Sequence, residues 1–139
     1  MRGCRRSPLE MRVLLDTNAY TALFRGDKAV AERVRRADHV LMSTVVVGEL
    51  LFGFRNGSRY EVNRRDLEDF IENAYVTLLP VTLMTSDRFG RIAAALRRNG
   101  RPIPSNDIWI AAHAMESGAE LLSFDRHFEE VDGIAWTQP

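Results

Sequence analysis

A short apolar run near the start of the chain ends at a carboxylate, and this feature most limits the folds open to the chain. The apolar residues 13–15 lead directly into Asp16, which two small polar residues, Thr17 and Asn18, follow. A brief apolar run is typical of a buried parallel strand, and the polar residues suit a turn or a helix cap. In an open α/β sheet, sites lie at the carboxyl ends of the strands, so Asp16 is a candidate site residue. The alternative is that Asp16 only caps the following helix.

The rest of the chain alternates between strand-like and helix-like apolar patterns. Short apolar runs predict further strands over residues 39–42, 76–81, 119–124 and 133–137. Helical spacing, with capping and stop signals, predicts helices over 19–25, from 27 to 37, from 43 or 44 to 54, around 67–74, over 85–98, from 105 or 106 to 118, and a helical turn at 126–129. This alternation favours an α/β fold, a three-layer α/β/α sandwich with a mostly parallel sheet. The polar break at 55–58 predicts a helical hairpin that projects from the sheet.

Length and composition fit one domain without an overall basic surface. The 139 residues suffice for one hydrophobic core, and the formal net charge is zero, so no general positive charge marks the chain as a nucleic-acid binder. No apolar run approaches the length of a membrane-spanning helix. Cys4 is the only cysteine, which excludes an internal disulfide. We therefore expect a soluble protein of the cytoplasm that does not associate with membranes.

The first residues of the chain differ in character from the rest. They begin with a basic stretch, as a signal peptide does, but no apolar stretch follows. We expect residues 1–10 to be a disordered extension and residues 11–139 to form a single domain. Met11 stands just before the first predicted strand, so both Met1 and Met11 are candidate translation starts.

Four acids occupy positions that call for an explanation. Asp16 and Asp125 follow predicted strands, Glu49 lies inside an apolar helix, and Asp107 lies in the first turn of a helix after the stiff connection 101–104. Buried carboxylates are rare unless they are paired or bind a metal ion. Each acid alone has a plain structural alternative, as a helix cap, an exposed helix residue or a turn residue. Together, acids at several comparable junctions favour a shared site.

A cluster of carboxylates needs a compensating cation. Two like charges ~4 Å apart repel each other by about 4 kcal/mol even at an effective dielectric constant of 20. Oxygen ligands select a hard ion, so the four acids predict a Mg²⁺ or Mn²⁺ site. Such a site takes up substrate phosphate, and its bound water becomes a nucleophile when its pKa falls. Phosphodiester hydrolysis is the reaction that this chemistry favours.

Four short motifs contain the candidate acids. They are Leu15-Asp16-Thr17-Asn18, Val47-Gly48-Glu49-Leu50, Asn106-Asp107-Ile108-Trp109-Ile110-Ala111-Ala112 and Ser123-Phe124-Asp125-Arg126-His127-Phe128. With these motifs the chain resembles the PIN-domain nucleases, and more closely the VapC-type toxins of bacterial and archaeal toxin–antitoxin pairs. The resemblance covers nearly the whole chain from about Met11 onward. Each motif alone is weak, but the four together resemble the family in order and spacing.

The resemblance implies a Rossmann-like α/β/α fold and an endoribonuclease that depends on Mg²⁺ or Mn²⁺. By motif position, Asp16, Glu49 and Asp107 would be the core catalytic and metal-binding acids, and Asp125 the fourth, more variable one. Ser123 would orient water or metal through its hydroxyl group. The bound metal would orient a water for attack on phosphorus, and Glu49 would complete the metal site or accept the water's proton.

The same resemblance implies supporting residues and partners. Thr17 and Asn18 would support the acids, whereas His127 is expected to pack without a chemical role. RNA would be the substrate, and a VapB-like antitoxin would bind and inhibit the protein. Such toxins commonly form homodimers, and their complexes bind operator DNA through the antitoxin.

Three arginines are candidates for RNA phosphate contacts. Arg97, Arg98 and Arg101 flank the approach to Asp107. Cations at the end of a helix also stabilise its macrodipole, which is the structural alternative.

One histidine and four aromatic residues are assigned to packing. His113 lies six residues beyond Asp107 and therefore points away from it on a helix, so we expect it to pack rather than bind metal. The aromatic residues are expected in the core or in a partner groove rather than under RNA bases: Tyr20, Phe24, Phe52 and Phe54.

Two alternative functions stay open beside the toxin. One is a PIN nuclease of RNA processing or decay that has no antitoxin. The other is a non-catalytic module that binds RNA or a partner. The presence of all four acids argues against the second, because an inactive module has no physical reason to keep carboxylates that repel one another.

Overall fold

A computed structural model describes residues 10–139 and shows one sheet of five parallel strands. In chain order the strands are β1 (Arg12–Leu15), β2 (His39–Ser43), β3 (Val76–Leu79), β4 (Glu120–Leu122) and β5 (Ala135–Thr137). Their order across the sheet is β3-β2-β1-β4-β5, and every neighbouring pair is parallel. The predicted extension over residues 1–10 lies, apart from residue 10, outside the described residues.

Helices connect the strands throughout the described part of the chain. They are α1 (Thr17–Phe24), α2 (Lys28–Arg36), α3 (Thr44–Arg55), α4 (Tyr60–Glu72), α5 (Leu83–Arg98) and α6 (Ser105–Ser117), with a 3-10 helix over Arg126–Glu130. The predicted three-layer α/β/α architecture is confirmed, and the sheet is wholly parallel rather than mostly so. The predicted hairpin corresponds to α3 and α4, joined by the turn at 56–59, and Leu67 of α4 is buried in the core.

Helix caps show where local sequence signals succeeded and where they failed. Asp27 caps α2 through the backbone N–H of Val30 (3.0 Å), as predicted. Of the two residues predicted as the start of α3, Ser43 is the cap, through the N–H of Val45 (3.0 Å), and Thr44 begins the helix. In α6, Ser105 or Asn106 was the expected cap. This prediction was wrong, because the helix begins at Ser105 itself and the capping position is Pro104, which has no side-chain donor or acceptor. A proline is compatible with this position because the first N–H groups of a helix have no helical acceptor.

Other boundaries also differ from the prediction by a few residues, for example in β5, which begins at Ala135 instead of residue 133, and three of the differences have a local cause. Helix α5 begins two residues early, at Leu83, because Thr82 and Thr85 form a reciprocal capping box. Strand β3 stops at Leu79, which pairs with the last residue of β2, and Pro80 follows without an N–H to donate. Strand β4 is limited to residues 120–122, because it pairs on both sides only over that stretch.

The core lies around the three inner strands. Val13, Leu14 and Leu15 of β1 are wholly buried, whereas the edge strands β3 and β5 are half-exposed. His113 of α6 is buried in this core, as predicted. Its Nδ1 lies 2.9 Å from the Ser43 hydroxyl oxygen and its Nε2 lies 3.0 Å from the Pro80 carbonyl oxygen. The imidazole therefore links α6 to the ends of β2 and β3.

Over residues 10–139, no helix combines the length and the apolar character that crossing a lipid bilayer requires.

Candidate functional site

The site lies where the direction of the chain across the sheet reverses. From the central strand β1 the chain moves outward through β2 to β3, then returns to β4 on the other side of β1. Leu15 and Leu122 are paired at the ends of these two strands, and the Asp16 N–H donates to the Leu122 carbonyl oxygen (3.3 Å). The crevice at such a switch point is where open parallel sheets bind their ligands. Asp16 and the segment 123–125 both enter it.

Asp16 both caps a helix and forms part of the site. Its Oδ1 accepts a hydrogen bond from the Ala19 N–H (2.8 Å), so it caps α1, as the alternative interpretation expected. Its Oδ2 accepts a hydrogen bond from the Ser123 hydroxyl. The side chain is buried, and this burial raises the pKa of Asp16 from 3.8 to about 6, with Asp107 and Asp125 raising it further and the two hydrogen bonds opposing the rise. Capping and site membership are therefore compatible.

Ser123 forms hydrogen bonds to two of the acids, Asp16 and Asp125. Its hydroxyl is buried, donates to Asp16 and accepts the Asp125 N–H (2.9 Å). The resemblance implied that this hydroxyl orients water or metal, which stays a prediction. In the structure the hydroxyl holds the Asp16 carboxylate and the backbone of Asp125 in place.

Glu49 is held from two sides. The Thr17 hydroxyl donates to its Oε1 (2.5 Å), and the Asn106 side-chain amide donates to its Oε2 (2.9 Å). These bonds join α1, α3 and α6. Thr17 was predicted as a supporting residue, whereas Asn106 was missed, although its place beside Asp107 in the motif was a usable signal.

Asp107, Asp125 and His127 form the most compact group. One ligand atom from each lies within 4.8 Å of the others. The Nδ1 of His127 lies 3.0 Å from Oδ2 of Asp107 and 3.1 Å from Oδ1 of Asp125. The prediction that His127 only packs was wrong, because the 3-10 helix that follows Asp125 turns its ring back to both carboxylates.

The ionisable side chains in this group shift one another's pKa. Burial raises the pKa of Asp107, while its hydrogen bond to His127 acts in the opposite direction. That same hydrogen bond raises the pKa of His127, and the negative charges of Asp125 and Asp107 add to the effect. A protonated His127 therefore supplies positive charge where two carboxylates meet.

All four predicted acids line one open cavity of about 580 Å³. Its walls are Asp16, Thr17, Asn18, Gly48, Glu49, Phe52, Asn106, Asp107, Ile110 and Asp125. Asn18 is thus at the site as predicted. We call this space the acidic cavity.

The three predicted RNA-binding arginines lie elsewhere. Within the part of the chain that the structure describes, none of them lines the acidic cavity. Arg101 pairs with Glu130 (3.1 Å), and Arg98 lines a separate shallow pocket on α5. Contact with RNA phosphates stays a prediction for Arg97, Arg98 and Arg101.

The aromatic residues divide into two groups. Tyr20 is buried, and its ring contacts Phe24 (centroids 4.5 Å apart) and Phe70 (5.4 Å). Together with Phe54 they belong to the core or line a groove between α1, α3 and α4, as predicted. Phe52 does neither: its exposed fraction is 70% and it lines the acidic cavity, so the core or groove prediction was wrong for this residue.

Comparison with known proteins agrees with this geometry. The PIN domain family model matches residues 13–134. The ribonuclease VapC1 of Haemophilus influenzae (strain R2866) is 32% identical over 131 residues, which cover 91% of this chain and 96% of that protein. The structure of VapBC-1 from nontypeable Haemophilus influenzae superposes with a TM-score of 0.81 at 32% identity, over 92% of this chain and 98% of that chain. DNA-bound VapBC from Salmonella typhimurium gives a TM-score of 0.80 at 26% identity, over 91% and 97%. This chain belongs to the PIN domain family and, within it, to the VapC ribonucleases.

Proposed function

We propose that this protein is the toxin of a toxin–antitoxin pair and that it hydrolyses RNA phosphodiester bonds at the acidic cavity with the help of Mg²⁺ or Mn²⁺. One observation carries the proposal: acids from four separate segments, Asp16, Glu49, Asp107 and Asp125, converge on one cavity at the switch point of a parallel sheet. No packing requirement brings four carboxylates together, since each adds repulsion to the others.

The donor set fits a hard divalent cation. The ligand atoms of Asp107 and Asp125 lie within reach of one another, and Asp16 adds a buried carboxylate whose ionised form is unfavourable without a nearby positive charge. Carboxylate oxygens suit Mg²⁺ and Mn²⁺. When bound, the ion would lower the pKa of a water and offset the negative charge of the phosphate. We assign its ligation to Asp16, Asp107 and Asp125, with Glu49 as a further ligand or base.

The chain's own residues define the remaining roles. Each Glu49 oxygen accepts one hydrogen bond, from Thr17 or Asn106, and keeps lone pairs free to accept a proton from the attacking water. Because both oxygens are held, Glu49 is oriented before substrate arrives. Attack by water rather than by the ribose 2′-hydroxyl leaves a 5′-phosphate and a 3′-hydroxyl.

A protein partner is part of the proposal. The groove between α1, α3 and α4 has a volume of about 750 Å³, carries the apolar side chains Tyr20, Phe24, Phe54 and Val62, and meets the acidic cavity at Thr17 and Glu49. A groove with this lining suits an amphipathic antitoxin segment. The VapBC neighbours support such a partner, and we extend the proposal to a homodimer and to operator DNA bound through the antitoxin.

The test is cleavage of a mixed RNA pool, with transfer RNA included, by purified protein in Mg²⁺, Mn²⁺ or EDTA. We expect cleavage only with a metal ion, 5′-phosphate ends, and complete loss in Asp107→Asn. Asp87→Asn is the matched control, because Asp87 is an exposed acid on α5 that pairs with Arg91 (3.0 Å).

Two outcomes would contradict the proposal. RNA binding without cleavage under any metal, in protein shown to be free of a co-purified partner, would favour the non-catalytic module. Cleavage that a small protein encoded beside this gene fails to inhibit would favour a processing nuclease without antitoxin.

A further inference from the structure

Phe52 is an exposed aromatic side chain whose position packing does not explain. Its exposed fraction is 70%, and it is absent from the partly buried side chains that pack against the core. Its neighbours Leu51 and Phe54 on α3 do pack there. A single exposed apolar side chain is common on a protein surface, as Tyr75 (68%) and Leu83 (87%) show here, so the location of the ring rather than its exposure indicates a contact with another molecule.

The location of the ring selects the kind of contact. Phe52 lies three residues after Glu49, so both side chains share one face of α3 and line the acidic cavity. Phe52 is not among the side chains that line the apolar groove proposed for the antitoxin. The ring therefore borders the cavity in which a phosphodiester bond would be cut.

The surface beside the ring is open. Gly48 lies one turn before Phe52 on the same face of α3, and a Cβ built there would meet nothing within 4 Å. Since side chains on a helix lean toward the preceding turn, the absent side chain of Gly48 leaves room next to the phenyl ring.

We propose that Phe52 is a positioning residue on which an unpaired RNA base next to the scissile phosphate stacks. The inference rests on the proposed ribonuclease function. A flat ring stacks on any base, and proteins that bind single-stranded RNA use aromatic side chains in this way. The acidic walls offer little attraction to a polyanion, so a contact through the base rather than the phosphate is well suited to hold RNA at this cavity.

The test compares Phe52→Trp with Phe52→Leu on a short single-stranded RNA that carries the mapped cleavage position. Leucine keeps the apolar character but removes the aromatic face. We expect Phe52→Leu to lower kcat/KM about tenfold or more, mainly through KM, and Phe52→Trp to retain or improve it. Tyr75→Leu is the matched control, because Tyr75 is equally exposed (68%) but precedes β3 at the opposite end of the sheet.

A second measurement identifies the base. Two substrates are compared, each of which lacks the base on one side of the scissile phosphate. For one of them, kcat/KM with the unmutated protein should fall to the value that Phe52→Leu gives with the normal RNA. Phe52→Leu acting on that same substrate should show no further loss of kcat/KM.

The outcomes separate this inference from the proposed function. If the unmutated protein cuts no RNA, the proposed function fails and the inference with it. If the protein cuts RNA and Phe52→Leu cuts equally well, or if the two losses simply add, only the stacking inference is overturned. Weaker binding of the antitoxin by Phe52→Leu, with RNA cleavage unchanged, would likewise overturn it and assign the ring to a protein contact.

Discussion

Asp16→Asn should stabilise the metal-free protein at neutral pH, although it replaces a site residue. In the unfolded chain the carboxyl titrates near its ordinary pKa of 3.8, and in the folded protein burial raises this pKa to about 6. Between these values the folded chain binds more protons, so stability falls as the pH rises from about 4 to about 6 and stays low above it. A difference of about 2.2 pKa units corresponds to about 3 kcal/mol of destabilisation when the carboxylate is ionised.

Hydrogen bonding reduces this gain. An asparagine Oδ1 still accepts the Ala19 N–H, but the side-chain amide would donate to the Ser123 oxygen, which already accepts the Asp125 N–H. The Ser123 hydroxyl proton then loses its acceptor, which costs about 1 kcal/mol. The net stabilisation at pH 7.5 is therefore about 2 kcal/mol.

The difference in unfolding free energy between the two proteins is measured by urea unfolding in EDTA, with the fluorescence of Trp109 and Trp136 as the signal. The difference in unfolding free energy between Asp16→Asn and the unmutated protein should increase by about 2 kcal/mol from pH 4.5 to pH 7.5, because the unmutated protein loses stability over that interval. Asp27→Asn is a matched control, since Asp27 caps α2 through a similar bond from a half-exposed position. It measures the effect of the cap alone.

A gap that does not change with pH would refute the reasoning, because it would show that the buried carboxylate carries no cost of ionisation. Loss of the fold in Asp16→Asn would do so more severely, since it would make the cap, rather than the site, the main role of Asp16.

Three further perturbations test the site and its support. Mn²⁺ at about 100 times its Kd should raise the melting temperature of the unmutated protein by roughly 10 °C and that of Asp107→Asn by much less; equal shifts would place the ion elsewhere. His113→Ala should lower the free energy of unfolding by about 3 kcal/mol or more in a urea titration, since it leaves a cavity and unpaired groups at Ser43 and Pro80; a loss below about 1 kcal/mol would contradict this. Gly90→Ala should raise the unfolding free energy by about 0.5–1 kcal/mol in the same titration, because a Cβ there meets nothing within 4 Å; destabilisation would show a contact that the structure lacks.

The sequence predicted most of the sheet and the acids because both follow from local patterns. The buried strand β1 reads as an apolar run, and parallel strands fix Asp16 and Asp125 at one edge of the sheet. Element ends were predicted less well. The start of α6 depends on Pro104 occupying the cap position, and the start of α5 depends on a reciprocal bond between Thr82 and Thr85. Such details depend on how several residues arrange together rather than on any one residue type.

The exposure of Phe52 was only partly predictable from the pattern of α3. The helical spacing of the apolar residues 47, 50, 51 and 54 leaves Phe52 off the predicted buried stripe, but nearly every position of this helix is apolar, so the spacing does not show how far Phe52 is exposed. Burial of Leu50 and exposure of Phe52 follow from where β2, α1, α4 and α6 lie against the helix, and this arrangement is set by the whole fold.

The hydrogen-bond donors of the site were harder to assign, because they serve acids from other segments. Thr17 follows Asp16 in the chain but donates to Glu49, and Ser123 stands two residues before Asp125 but donates to Asp16. Sequence neighbourhood therefore identifies these residues as part of the site but does not show which acid each of them binds.

These hydrogen bonds, in which a residue next to one acid binds a different acid, explain how a cluster of repelling acids is compatible with a stable fold. Asn106 stands beside Asp107 yet donates to Glu49, and His127 follows Asp125 yet also reaches Asp107. Each such bond offsets part of the repulsion and at the same time ties two elements together across the cavity. A substitution at Asn106 should therefore disturb Glu49 on α3 before it disturbs its own neighbour Asp107. The acids and their donors thus act as one connected unit, so the site is held in position by the contacts that make its charge tolerable.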